Sequence, residues 1–526
     1  MKKNFLMLLL GCTLSVASKA VEADYNIVPL PQQVELLAKE QPFVLSAATT
    51  VVVSEDMPEL QRDAQFLIDY VAEATGIRLT IAEKAKTNYI RLAIDGKMAA
   101  EEGYAMTVDK KGITVSGRTP QGVFYGVQTL RKSLPTGQSE SISMPAVSIK
   151  DQPRFGYRGL MLDCARHFFP LDFVKRYIDL IAMHNMNTFH WHLSDDQGWR
   201  IEIRKYPLLT QIGSVRECTV IGNNSELYDN VPYGGFYTQE DAREIVRYAA
   251  ERYITVVPEI DMPGHMLGAL AAYPDLGCTG GPYKVSPLWG VFPDVLCLGN
   301  EKVYQFCEDV LKEIIDIFPS QYIHIGGDEA PRDRWAVCPK CQALAKQQGL
   351  ETNTIQSYFT NRIEKFINAQ GRRIIGWDEI LEGPINQSAT IMSWRGIEPG
   401  VSAANKGHDV IMSPCSHAYL DYYQTDGRGN GPILIGGNLP LEKVYSLDPV
   451  PENIDENLRK HIIGVQGNLW TEYIAYPSVV EYQVLPRMAA LADIQWSDKP
   501  KNFEAFKRRL EKQKRLYDVY GLKYAK

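Results

Sequence analysis

The chain has 526 residues, of which 45% are hydrophobic and 23% are charged, and its formal net charge is −7. This length predicts two to four domains, and the composition is typical of a compact globular protein rather than a disordered one. No lysine- or arginine-rich run is present, so nucleic acid is excluded as an expected partner.

The first twenty residues, MKKNFLMLLLGCTLSVASKA, place two lysines before an apolar run and end in small residues. This pattern predicts an export signal that is cleaved after Ala20, and hence a periplasmic or cell-surface-associated protein. Lipid attachment at Cys12 is the weaker alternative, because Leu10 fits such a junction poorly. No other apolar run approaches the roughly 20 residues of a membrane span, so no transmembrane segment is expected.

Residues 21–150 are predicted to form a small α+β domain. Strands are indicated by TVVVS and YIRLAI, a hairpin by YAMTVDKKGITVSG, and helices by ELQRDAQFLIDYVAEATG and by the segment after Thr119-Pro120. These assignments follow from the hydrophobic period and from the Lys111-Gly112 turn. The segments contain no clustered acids or histidines and no glycine-rich phosphate loop, so we expect a supporting role.

Residues 151–500 contain eight short apolar segments, most of them separated by helix-like stretches. The segments are RGLMLDCA, NTFHWHLSDD, ITVVPEIDMPGH, YIHIGGDE, RRIIGWDE, TIMSWRG, DVIMSPC and IIGVQGNLWTE. The sequence therefore predicts an α/β fold, a (β/α)8 TIM barrel. The stretch from Arg372 to Thr390 is too short for a full helix, so that crossover is expected to be irregular. Thr238 is the expected N-cap of one connecting helix, and residues 501–526 are predicted to form a C-terminal helix packed on the barrel, with a partner as the other possible surface.

Acidic and aromatic residues gather at the C-terminal ends of these segments, where a TIM barrel places its functional site. They are Asp163, Asp195, Asp196, Asp261, His265, Asp328, Glu329, Trp377, Asp378, Trp394, Trp470 and Glu472. An acid after a single strand is as often a helix N-cap. The repetition from strand to strand favours a functional site.

Nine cysteines are present, and eight of them follow Cys12. Cys278 and Cys297 flank a loop and could form a disulfide in an oxidising compartment. Cys338 and Cys341 have the CxxC spacing of a zinc knuckle, but no second CxxC or histidine pair follows at a suitable distance. A local disulfide or free thiols are therefore favoured over a metal site there.

An acid- and tryptophan-rich pocket suits a neutral sugar, because carboxylates accept hydrogen bonds from hydroxyls and aromatic faces cover the apolar side of the ring. A metal site on His190 and His192 competes with this interpretation, but no HExxH-type ligand set accompanies them. Two-carboxylate glycosidases place their acids about 5–9.5 Å apart around the scissile bond. Asp328 and Glu329 are adjacent on one strand end and fit that arrangement poorly, so the sugar itself could supply the nucleophile.

Six motifs in chain order resemble the family 20 β-N-acetylhexosaminidases: RGLMLDCARHF, FHWHLSDDQGWR, PEIDMPGH, HIGGDEAPRDRW, GWDEI and GVQGNLWTE. The preceding small domain is also similar to the family's usual companion. The resemblance implies an exo-acting, retaining glycosidase that removes terminal β-linked GlcNAc or GalNAc from an oligosaccharide or glycoconjugate. It implies no metal or organic cofactor and leaves the oligomeric state open.

The family resemblance also implies a substrate-assisted mechanism, in which the 2-acetamido oxygen attacks the anomeric carbon and forms an oxazolinium intermediate. Glu329 would be the general acid and then the base, and Asp328 would orient the acetamido group. The charge of Asp328 is expected to help keep Glu329 protonated. Asp195 and His265 would orient and tune the acid, and His192 would join this network or be a core histidine.

The other site residues follow from the resemblance position by position. Arg158 would grip two ring hydroxyls, although its place at the start of a strand also fits an ion pair at the bottom of the barrel. The pocket walls and the remaining polar contacts are expected from Trp377, Trp394, Trp470, Tyr419, Asp421 and Glu472, with Tyr419 holding the acetamido carbonyl. Many family members offer a further tryptophan after the YLD segment, whereas this chain reads GNGPILIGGNLPLEKVY.

Three alternatives remain beside this interpretation. A family member could release a disaccharide or a sulfated GlcNAc, which would change only the rim of the pocket. A catalytically silent carbohydrate-binding protein on the same barrel would be expected to lack the acid, and Glu329 is present. A plain two-carboxylate glycosidase would not need the acetamido group.

Overall fold

The computed structural model describes residues 21–425, 433–452 and 454–526. The predicted export signal in residues 1–20 and the middle of the loop after the YLD segment lie outside this range. Across the described part of the chain, no helix combines the length and the apolar character needed to cross a bilayer.

The N-terminal region forms a seven-stranded mixed sheet covered by two helices. In sheet order its strands are Gln33–Leu36, Val147–Asp151, Tyr104–Asp109, Gly112–Gly117, Tyr89–Ile94, Thr50–Val53 and Thr80–Ile81. The helices are Pro58–Thr75 and Pro120–Ser133, and the Thr119 side chain caps the second. A smaller sheet joins Val21–Glu22, Ser141–Met144 and Phe43–Ser46. The predicted strands, hairpin and two helices of this region are confirmed.

Eight parallel strands then close into a barrel, which confirms the predicted fold. In order around the barrel they are Tyr157–Asp163, Thr188–His192, Thr255–Glu259, Tyr322–His324, Arg373–Trp377, Thr390–Ser393, Val410–Met412 and Ile462–Gly467. Inward-facing side chains, among them Tyr157, Val257, Ile375, Met392 and Ile411, fill the interior. The barrel is therefore a packed core, and ligands are left with its end faces.

Helices and short hairpins connect the barrel strands, and the last two helices of this part follow the eighth strand. The α-helices are Leu171–Met183, Leu208–Gln211, Gln239–Ala250, Leu267–Ala272, Glu301–Ile317, Asp333–Val337, Pro339–Gln348, Ile355–Ala369, Glu398–Asn405, Cys415–Ala418, Leu441–Tyr445, Pro477–Val484 and Arg487–Trp496. The 3₁₀ helices are Pro274–Leu276, Thr352–Thr354, Asp378–Glu382 and Glu456–His461. Two pairs of short antiparallel strands join Ser194–Asp195 with Gly198–Trp199 and Val215–Arg216 with Tyr233–Gly234.

Two predictions about these connections are confirmed. Thr238 forms the expected N-cap of the helix Gln239–Ala250, as part of a capping box. The irregular crossover expected after Arg372 is confirmed, because a single 3₁₀ helix follows the fifth barrel strand.

Arg158 joins the N-terminal domain to the bottom of the barrel. Its guanidinium is fully buried and donates to Glu102 at 2.8 and 3.0 Å and to the Tyr125 hydroxyl at 2.7 Å. The prediction that Arg158 binds ring hydroxyls is therefore wrong, because the start of a barrel strand lies at the opposite end from the acid pair. The structure instead contains the predicted alternative, an ion pair at the bottom of the barrel, between Arg158 and Glu102.

The last helix, Phe503–Val519, packs between the barrel and the N-terminal domain. The Tyr517 hydroxyl lies 2.7 Å from His184 Nε2 on a barrel helix, and Arg509 pairs with Asp493 at 2.5 Å. At its far end, Tyr520 donates to Glu73 of the N-terminal domain. The helix therefore ties both parts of the chain together.

Candidate active site

Asp328 and Glu329 stand on a tight turn after the fourth barrel strand, Tyr322–His324. The turn uses left-handed backbone, with φ of +66° at Gly326 and +43° at Glu329. A Cβ at position 326 would lie 1.8 Å from Asp261 Oδ1, so only glycine fits there. A non-glycine residue such as Glu329 in this region is uncommon and is typical of functional sites.

A chain of polar contacts connects Asp195 to Glu329 through His265. His265 Nδ1 lies 3.1 Å from Asp195 Oδ1 and 3.0 Å from Asp196 Oδ2. Its Nε2 lies 3.5 Å from Glu329 Oε2. Burial lowers the pKa of His265, but the nearby carboxylates, Asp195 first, outweigh burial and raise this pKa well above its usual value. The structure thus brings the predicted orienting pair against the predicted acid.

Beneath Asp195, the buried carboxylate of Glu259 is surrounded by imidazoles. Its oxygens lie 2.5 Å from His192 Nδ1, 2.9 Å from His190 Nε2 and 3.0 Å from His324 Nδ1. His192 Nε2 also lies 2.9 Å from Asp195 Oδ2, so this ring links the two carboxylates. Burial raises the pKa of Glu259, but the three histidines lower it well below its usual value. His192 therefore lies in the network that supports His265.

In the free protein, the carboxyl with the raised pKa is Asp328 and not Glu329, contrary to the prediction from the sequence. Burial is the main reason that the pKa of Asp328 rises to about 6, against the opposing charge of His265, and the charges of Glu259 and Glu329 add to the rise. Contact with His265 lowers the pKa of Glu329, although partial burial opposes this. The expectation that Asp328 keeps Glu329 protonated is wrong for the free protein, because it did not include the adjacent imidazolium.

Arg166, directly after the first barrel strand, is the arginine that reaches the site. Its Nη2 lies 2.9 Å from Asp195 Oδ2, and its Nη1 lies 3.2 Å from Asp163 Oδ2 and 4.0 Å from Glu472 Oε1. Sequence reasoning chose Arg158 from the same motif. Their positions relative to the strand could have separated the two arginines, because a residue after a barrel strand faces the site and a residue at its start faces the bottom of the barrel.

The predicted carboxyls Asp421 and Glu472 lie near each other on this side of the site. Asp421 is 3% exposed, and among the described residues neither of its carboxyl oxygens has a hydrogen-bond partner. Burial, with the charge of Glu472 adding to it, raises the pKa of Asp421 well above its usual value. A buried carboxyl with open oxygens is costly unless something binds it, so Asp421 is suited to accept a ligand hydroxyl.

The predicted aromatic residues form a continuous wall. Ring centroids are 5.8 Å apart for Trp377 and Trp470, 6.4 Å for Trp470 and Tyr419, and 6.0 Å for Tyr419 and Trp394. Trp377 Nε1 donates to Glu259 at 2.9 Å, which fixes its ring against the buried network. Such a wall can cover the apolar face of a sugar.

Two further acids complete the surroundings of Asp328. Glu379 accepts a hydrogen bond from Trp394 Nε1 at 2.9 Å, and burial, with the charge of Asp328 adding to it, raises its pKa to about 8. Asp261 accepts from the Gly327 amide at 3.1 Å, and burial, with the charge of Asp328 adding to it, raises its pKa well above the usual value. The strand-end pattern included Asp261, but it drew attention to Asp378 rather than Glu379.

In the part of the chain that the structure describes, three groups of metal-ligand type lie in or beneath the site. One is His190, Glu259 and His324, and the other two contain His265. Of these two, one adds Asp195 and Asp196, the other adds Asp261 and Asp328, and the ligand atoms in each lie within 4.8 Å of one another. Burial opposes charge on the His265 ring, but the nearby carboxylates, Asp195 first, raise its pKa well above the usual value. The arrangement is therefore suited to holding and moving a proton.

Two protein-family models match this chain. "Glycosyl hydrolase family 20, catalytic domain" matches residues 155–499, and "Glycosyl hydrolase family 20, domain 2" matches residues 24–152. The first covers the barrel and the second covers the N-terminal domain.

Relatives and solved structures agree with these matches. A β-hexosaminidase of Porphyromonas gingivalis is 43% identical over 511 residues, which are 95% of this chain and 64% of that protein, so this chain spans less than two thirds of that relative. A β-N-acetylhexosaminidase of Cellulomonas fimi is 30% identical over 95% of this chain and 96% of its own length. A mutant Streptomyces plicatus β-hexosaminidase in complex with GlcNAc superposes with a TM-score of 0.82 at 31% identity, over 95% of this chain and 96% of that one. The chain therefore belongs to glycosyl hydrolase family 20, with domain 2 of that family ahead of its catalytic barrel.

Proposed function

We propose that this protein is an exo-acting, retaining β-N-acetylhexosaminidase that releases terminal β-linked GlcNAc or GalNAc from glycans. The adjacency of Asp328 and Glu329 on one turn carries this proposal, because neighbouring carboxylates do not stand on opposite sides of a glycosidic bond. A 2-acetamido group on the substrate meets the need for a nucleophile. The β-hexosaminidase relatives support the same substrate class.

In the first step, the acetamido carbonyl oxygen attacks C1 while the bond from C1 to the leaving oxygen breaks, and Glu329 gives its proton to that oxygen. Asp328 accepts a hydrogen bond from the acetamido N–H and stabilises the positive charge that develops on the oxazolinium ring. The Tyr419 hydroxyl donates to the acetamido carbonyl. In the second step, ionised Glu329 takes a proton from the water that adds to C1, and the bond from C1 to the acetamido oxygen breaks. C1 is displaced twice, so its configuration is retained.

Substrate binding also supplies the protonation state that the first step needs. The Glu329 side chain is 41% exposed in the free protein, and a sugar that covers it removes water and so raises its pKa. The acetamido N–H would donate to Asp328 and lower the pKa of that carboxyl. Both effects move a proton from Asp328 toward Glu329.

The polar side of the pocket supports recognition of a single terminal sugar. Arg166 offers a planar, fixed donor fork to neighbouring hydroxyls, and its position is held by Asp163 and Asp195. The open carboxyl of Asp421 and the nearby Glu472 accept from further hydroxyls.

Hydrolysis of two aryl β-glycosides with the same leaving group tests the mechanism. One carries the 2-acetamido group and the other a plain 2-hydroxyl. We expect cleavage of the acetamido substrate alone. Comparable cleavage of both would mean that the protein supplies its own nucleophile, and cleavage of neither would favour a carbohydrate-binding protein. Product analysis by chromatography separates release of a monosaccharide from release of a disaccharide or a sulfated sugar.

We also propose that the protein is exported through residues 1–20. N-terminal sequencing of the mature chain should begin at Val21. A lipid-modified chain beginning at Cys12 would support the lipoprotein alternative instead.

A further inference from the structure

Four cysteines from two loops converge outside the candidate active site. Cys278 and Cys297 lie between the third and fourth barrel strands, and Cys338 and Cys341 lie at the start of the helix Pro339–Gln348. Three of them are buried and Cys278 is half-buried. No disulfide joins any cysteines in the part of the chain that the structure describes, so Cys278 and Cys297 are not paired there.

The four sulfur atoms are spaced as the ligands of one tetrahedral ion. The Sγ–Sγ distances are 3.7 Å for Cys297 and Cys338, 3.7 Å for Cys297 and Cys341, and 3.8 Å for Cys278 and Cys341. All four sulfurs lie within 4.8 Å of one another. Zn–S bonds of about 2.3 Å place the corners of a regular tetrahedron about 3.8 Å apart. A disulfide bond is far shorter, at about 2.05 Å.

We propose that Cys278, Cys297, Cys338 and Cys341 bind one zinc ion in a closed structural site. Four cysteine ligands with no open position are typical of structural zinc, and soft thiolates do not suit magnesium or calcium. The sequence had favoured a local disulfide or free thiols. That expectation missed the second ligand pair because Cys278 and Cys297 come from an earlier loop and are not adjacent in the chain.

The backbone around the sulfurs is shaped for this contact. A Cβ at position 299 would lie 2.1 Å from the carbonyl carbon of Lys340, so Gly299 allows the two loops to touch.

The two loops joined by the cysteines also carry parts of the candidate active site. His265 lies at the beginning of the first loop, and Glu329 lies at the beginning of the second. Between them, Trp335 Nε1 donates to the Leu296 carbonyl at 2.9 Å, and the Leu296 amide donates to the Pro263 carbonyl at 3.0 Å. A bound ion would therefore fix the position of the loop that carries His265 relative to the loop that carries Glu329. We expect removal of the ion to lower both the melting temperature and the activity.

Metal analysis of the full-length protein tests this assignment. The chain is produced in zinc-supplemented medium without a histidine tag, passed over a chelating resin, and measured by inductively coupled plasma mass spectrometry. One zinc per chain is expected. The Cys338→Ser variant should lose the zinc, whereas the control Cys307→Ser, which removes a buried thiol outside the cluster, should keep it.

A measurement on the wild-type protein covers the case in which Cys338→Ser does not fold. An organomercurial reagent is titrated in while a chromogenic chelator reports released zinc, and release in proportion to thiol modification is expected. Absence of stoichiometric zinc, iron in its place, zinc that persists in a folded Cys338→Ser variant, or release without thiol modification would each overturn the proposal. Two disulfides among these cysteines, found by alkylation and mass spectrometry, would do the same.

Discussion

Replacement of Asp328 by asparagine should slow the attack of the acetamido group by about a thousandfold. The substitution keeps the shape and an oxygen that accepts the N–H, but it removes the negative charge. Asp328 is 9% exposed, so its charge acts in a poorly solvated pocket. Opposite charges about 4 Å apart at an effective dielectric constant of about 20 attract by about 4 kcal/mol. Since about 1.4 kcal/mol corresponds to a factor of ten in rate, the loss amounts to about three powers of ten.

The assay is kcat/KM across the acidic and neutral pH range for an aryl N-acetyl-β-glucosaminide whose leaving group needs protonation. In the wild type, the rate should fall as the pH rises through about 6, because the proton that Asp328 then loses is the one that substrate binding moves to Glu329. The Asp328→Asn variant should lack this limb of the profile. Asp498→Asn is the matched control, because Asp498 is exposed and distant in sequence from the acid turn.

A loss smaller than tenfold, together with an unchanged fall in rate above pH 6, would refute this account of Asp328. The carboxyl would then contribute shape and hydrogen bonding but not charge. A large loss at every pH with the fall above pH 6 retained would assign that fall to another group of the site.

Three other predictions concern the same face of the barrel and its opposite end. Glu329→Gln should abolish turnover of substrates with poor leaving groups, and near-normal rates on chitobiose would remove Glu329 from the acid role. Arg166→Lys should raise KM strongly, whereas Arg158→Lys should lower the melting temperature without raising KM; the reverse pattern would contradict the placement of these arginines. Asp328→Asn should stabilise the fold at neutral pH. The pKa of Asp328 rises from 3.8 to about 6 on folding, so its contribution is complete below about pH 4 and is lost, at a cost of about 3 kcal/mol, as the pH rises through 6. The variant's gain in melting temperature should grow over this range, and a gain independent of pH would count against it.

The barrel could be predicted because buried parallel strands leave a strong local signal. Each of the eight apolar segments contains one strand, and even the irregular crossover after Arg372 followed from chain length alone. The acid pair was equally visible, because it lies on one turn directly after a strand. These features depend on residues that are close together in sequence.

Features that depend on several distant segments were not visible in the same way. Arg158 and Arg166 lie in one motif, and only their positions relative to the strand separate a domain contact from a site residue. The protonation of Glu329 depends on His265, which comes from another loop. The cysteine cluster likewise combines two loops, and no linear spacing relates Cys297 to Cys338.

The buried guanidinium of Arg158 makes domain 2 a part of the floor of the barrel. Its partners Glu102 and Tyr125 belong to that domain, so a chain trimmed to begin at residue 155 would lose both of them and would open the bottom of the barrel, with this guanidinium, to water. It would also uncover the side chains that domain 2 packs against there, among them Trp496, whose ring lies 5.0 Å from that of Tyr125. We therefore expect the barrel and domain 2 to be expressed as one unit. A recombination event or an engineered fusion that transfers the barrel has to transfer domain 2 with it.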